Sequence, residues 1–139
     1  MNLDSIFNLF NNEDNTDETS LLVDFSEHPL FWISGFNKVI ANHVFFKEHT
    51  VKSFRNIYPD INIEELEKVG EELMFRKAWD FIKSIDVTNN FHIECIKLKT
   101  DEYFIHNLKV TIKFFEDLEE YEKCALLKKV EDKVTDFLI

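Results

Sequence analysis

The chain has 139 residues, 45% of them apolar, 14% aromatic, and a net charge of −11. That length fits one domain able to bury a sizeable core, and 15 Phe against 2 Gly and 2 Pro disfavours a many-stranded β fold, which needs frequent tight turns. Seven acids and no Lys or Arg fall within residues 1–30, so direct nucleic-acid binding and docking on an anionic membrane are not expected.

Residues 3–10 place Leu3, Ile6, Phe7 and Phe10 at i, i+3, i+4 and i+7, the apolar face of a two-turn helix. Two turns are marginal in water, so this piece needs a surface to dock on. Residues 11–20 contain no apolar side chain and read as a linker. Residues 1–20 are therefore expected to be an acidic N-terminal segment, and residues 21–139 a single helical domain. Ile6, Phe7, Leu9 and Phe10 are candidate partner-binding residues, with folding back over the body as the alternative. Asp4 to Phe10 also resembles the hydrophobic pentapeptides by which bacterial replication proteins grip the sliding clamp, without that family's leading Gln.

Pro29 suits the first turn of a helix running to about Phe46, and the apolar run Leu30 to Ile40 places it at the centre of the body. A shorter helix, Val51 to Tyr58, must stop before Pro59. Asn62 with Glu65 has capping-box spacing, and Ile61 with Leu66 fits a hydrophobic staple. That helix should run to about Ser84, with Leu66, Val69, Leu73, Ala78, Phe81, Ile82 and Ile85 inward and Met74, Phe75 and Trp79 widening the stripe. Gly70 inside it points to close approach of another helix. Phe91 to Lys99 reads as helix, with Phe91, Cys95 and Leu98 on one stripe and Asn90 as cap, or as a short strand in an α+β fold. Thr100-Asp101-Glu102 starts a helix that carries Phe104, Ile105, Leu108, Ile112 and Phe115 inward. Residues 120–138 form the last helix, with Tyr121, Cys124, Leu127, Val130, Val134 and Leu138 on one face. The expected fold is all-α, a compact bundle of five or six helices ending in a hairpin over residues 101–138.

Phe115 to Val134 reads FEDLEEYEKCALLKKVEDKV. This resembles the UVR motif of the bacterial nucleotide-excision nuclease subunits and some regulators of bacterial proteolysis. Tyr121-Glu122-Lys123-Cys124-Ala125 and Leu127 match the family pattern. Lys128-Lys129 replace its Arg-Asp, and Glu131 stands at its Ile. The resemblance implies a hairpin that contacts another protein or a second hairpin, with no chemistry of its own. Tyr121, Lys123, Lys128 and Lys129 are the partner-contact candidates, the lysines facing an acidic surface.

The sequence holds no metal-site, phosphate-loop or nucleophile-elbow motif. His92 and Cys95 alone have a metal-pair spacing. Glu71–Glu72 and Glu119–Glu120 read as solvated helix faces rather than acid–base pairs. No catalytic residue, metal or cofactor is expected. Cys95 and Cys124 read as small core residues in a reducing compartment, and no apolar run reaches the roughly 18–20 residues of a membrane span. Abundant Phe, Ile, Asn and Lys with Arg only at Arg55 and Arg76 is the bias of AT-rich coding, as in a low-GC bacterium or its phage. The functional expectation is a non-catalytic interaction or assembly protein, a phage-encoded adaptor or regulator in the host cytoplasm. The alternatives are a virion component and an acidic DNA-mimic inhibitor.

Overall fold

The computed structural model describes residues 25–139. The N-terminal docking candidates Ile6, Phe7, Leu9 and Phe10 lie outside the described residues. Within them the chain is all-helical: α1 (Pro29–Phe45), a π segment (Phe46–Thr50), α2 (Val51–Ile57), α3 (Ile63–Ile82), α4 (Asn90–Leu98), α5 (Glu102–Asp117) and α6 (Tyr121–Leu138). Residues 90–98 form a helix, so the strand alternative falls.

The helix starts follow from local chemistry. His28 Nδ1 accepts from the Leu30 N–H at 3.1 Å with Pro29 behind it, and Asn62 Oδ1 accepts from Glu65 N–H at 3.1 Å. Asp101 Oδ1 accepts from Phe104 N–H at 2.7 Å. The cap of α4 is Asn89 rather than Asn90: its Oδ1 takes the N–H groups of Phe91 and His92 at 2.9 and 3.2 Å.

The expected break between Phe46 and Val51 is absent. Phe46, Thr50 and Val51 all keep right-handed helical dihedrals, and the Val51 N–H reaches back five residues to Phe46 O. No Gly or Pro interrupts residues 47–50. The chain therefore takes up one residue as a π-bulge, and α1, the π segment and α2 form one rod.

α1 packs along α3, and α5 along α6; α4 ties α1 to α6, and α5 also touches α1. One core joins all of them. Ile33, Phe36, Ala78, Ile82, Ile96, Phe104, Leu108, Phe115, Leu127, Val130 and Val134 are fully buried within it. On α6 the end residues Tyr121 and Leu138 of the expected stripe are 61% and 41% exposed, and on α3 and α4 the buried arc differs from the expected one. On α3, Val69 and Leu73 are 52% and 65% exposed, while Met74, Phe75, Ala78 and Ile82 are buried. On α4, Phe91 and Leu98 face outward and Cys95 and Ile96 inward. In both helices the sequence offers apolar side chains around more than half the circumference, and the packing partner selects which arc is covered.

Close approach occurs at Gly35 rather than at Gly70. A Cβ at Gly35 would lie 2.4 Å from the Phe81 ring, whereas one at Gly70 would meet only the His43 ring edge, at 3.7 Å. The bend between α5 and α6 is a Schellman-type turn. Glu120 N–H bonds Phe115 O and Glu119 N–H bonds Glu116 O, with Glu119 at φ 61° in the left-handed region.

Candidate functional site

Beyond Ile40 the rod formed by α1, the π segment and α2 buries little of its surface. Past Val51, which is 3% exposed, every residue of α2 is exposed. Its apolar side chains Phe54 and Ile57 remain 38% and 67% exposed. Between this rod, α3 and α5 lies an open groove of about 820 Å³.

The groove has an apolar floor and a charged rim. Ile40, Val51, Met74 and Phe75 are buried along the floor, and Val110 closes it on the α5 side. Lys47, Lys52 and Arg55 line the π and α2 wall, with Glu48 among them. Glu67 and Glu71 stand on the α3 wall, and Tyr103 and His106 on α5. His43 sits between the walls. Burial holds its imidazole pKa below the ordinary 6.5, with Lys47 adding to the effect and Glu71 and Glu67 opposing it. His43 is therefore neutral at neutral pH. Asn107, also at the groove and fully buried, donates Nδ2–H to Asn37 Oδ1 at 2.8 Å, while its own Oδ1 has no partner among the described residues. A buried acceptor left unpaired costs roughly 1–3 kcal/mol.

The hairpin candidates are placed separately from the groove. Tyr121 is 61% exposed at the start of α6. Lys123 is turned inward: its Nζ donates to Glu120 Oε1 at 2.7 Å and lies 5.0 Å from the centre of the Phe115 ring and 5.8 Å from that of Trp79. Glu120 also receives both terminal nitrogens of Arg76, at 3.3 and 3.1 Å, and these two cations hold its carboxyl below the usual range. This network pins the α5–α6 bend onto α3. Lys128 pairs with Glu131 and Asp132 at 3.5 Å, and Lys129 is exposed. Leu127, Val130 and Val134 are spent in the chain's own core, so the outer face of α6 is what remains for contact.

His92 is structural. Its Nδ1 accepts the Asp86 N–H at 2.9 Å, and its ring meets Trp32 edge-on at 5.5 Å. Burial pushes both thiols, Cys95 and Cys124, above their ordinary pKa. Glu71 lines the groove, while Glu72 accepts from Arg76 Nε at 3.3 Å. Among the described residues no group of three or more His, Cys, Asp or Glu is arranged to hold a metal. Nor is any helix there long and apolar enough to cross a membrane.

The groove was invisible in the sequence because its floor comes from four separated helices. No family model, curated protein or solved structure matches the chain.

Proposed function

We propose that this protein is a non-catalytic interaction protein that receives an apolar helix in the groove beside its π segment. The observation that supports the reading is the groove itself: a buried apolar floor, a rim of opposed charges, and one wall with almost no core of its own. Helix-in-groove recognition uses such a surface, taking apolar anchors at i, i+3, i+4 and i+7 into the floor while rim charges set orientation. The under-packed α2 wall adapts to its occupant at little cost. π-bulges recur at functional sites, and this one sets the angle of that wall.

The test is site-specific photo-crosslinking in native cells. A photoreactive phenylalanine analogue replaces Val44, a half-exposed groove residue, or Lys133 on α6 as a control. A discrete protein adduct at Val44, absent at Lys133 and lost on adding Lys52→Glu and Arg55→Glu, supports the reading. Equal adducts from both positions, or none at Val44, sink it.

A further inference from the structure

The chain carries a candidate occupant of its own. Leu3, Ile6, Phe7 and Phe10 have the anchor spacing that an apolar groove accepts. Fourteen residues, 11–24, lie between this quartet and the first described residue, Phe25. Extended, they span up to about 45 Å. The groove begins beside His43, about 21 Å along α1 from Pro29 at the helical rise. Reach is therefore ample.

Charge selects the same occupant. Residues 11–24 carry five acids and no Lys or Arg, and the outer groove wall presents Lys47, Lys52 and Arg55 against one acid, Glu48. Residues 3–10 carry a single acid, Asp4, so the quartet meets little repulsion from Glu67 and Glu71 on the opposite wall. We infer that residues 3–10 occupy the groove of their own chain, with residues 11–24 running along the basic wall. This rests on the reading of the groove as a helix receptor, and it makes partner binding a competition with the chain's own segment.

The experiment uses the full chain carrying Ser5→Cys and Cys124→Ala, with a nitroxide attached at position 5; Cys95 is 2% exposed and stays unlabelled. Paramagnetic broadening of the Val44, Val51 and Val110 amides is read in the ¹⁵N spectrum. The inference expects strong broadening within one molecule. At least half of it should disappear on Phe7→Asp, and likewise on Lys52→Glu with Arg55→Glu. An equal mixture of ¹⁵N chain without nitroxide and ¹⁴N chain with it should show none. No broadening at the groove overturns the inference, as does broadening in the mixture, which assigns the groove to a second copy. The two readings fail separately. A Val44 adduct without broadening leaves the partner groove standing and removes the self-occupant. Broadening without a foreign adduct does the reverse.

Discussion

At the scale of single residues, the two glycines have opposite roles. Gly35 is held against the Phe81 ring with no room for a methyl group, and Gly70 has that room. Gly35→Ala should therefore destabilise the fold by about 1–3 kcal/mol through overpacking. Gly70→Ala should stabilise it by up to about 1 kcal/mol through helix propensity. Urea denaturation of the two variants checks both signs. His43 makes a separate prediction. Its folded pKa lies below 6.5, so as pH falls the unfolded chain takes up this proton first. Stability should decline from about pH 6.5 down to the folded pKa and then level off. His43→Gln should remove that slope. Glu120 and Asp86, whose pKa values are held below 4.5 and 3.8, lose their stabilisation only at lower pH, so the windows are distinct. Unfolding free energies of the wild type and His43→Gln, measured between pH 5.5 and 8, isolate this histidine by difference.

At the scale of elements, α2 and the α5–α6 bend are the informative pieces. Only Val51 anchors α2, so its amides should exchange with solvent far faster than those of α1 residues 33–40 or of α5. Hydrogen exchange read by mass spectrometry decides this, and equal protection along the whole rod would refute it. At the bend, Glu119 occupies a left-handed conformation that costs a non-glycine residue roughly 1–2 kcal/mol. Glu119→Gly should raise stability by about 0.5–1 kcal/mol after the added freedom of the unfolded chain is counted. Thermal melts show the shift. The same bend divides the contact candidates on the hairpin. Lys123 is consumed by Glu120, Phe115 and Trp79, while Tyr121 and Lys129 stay outside.

At the scale of the molecule, one core connects every helix from α1 and α3 to α6. Phe104 stands where α5 meets α1, its ring 6.1 Å from that of Phe36, and both are fully buried. Phe104→Ala should cost about 3–5 kcal/mol. Against the 5–15 kcal/mol typical of a domain, that brings the chain close to unfolding. A single cooperative urea transition at lower midpoint is the expected result.

The helical class, the starts of the helices at Pro29, Asn62 and Asp101, and the hairpin were legible in the sequence, because caps and 3.6-residue periodicity are local properties. So was the inward set Phe104, Leu108 and Phe115, where apolar and polar faces are cleanly divided. The continuation of α1 into α2 through a π-bulge, the outward turn of Val69, Leu73 and Phe91, and the close approach at Gly35 instead of Gly70 were decided by tertiary packing. The groove belongs to the same class. A helix apolar around most of its surface does not specify which arc it will bury; that depends on neighbours dozens of residues away, and a cleft exists only where several such choices leave one arc uncovered.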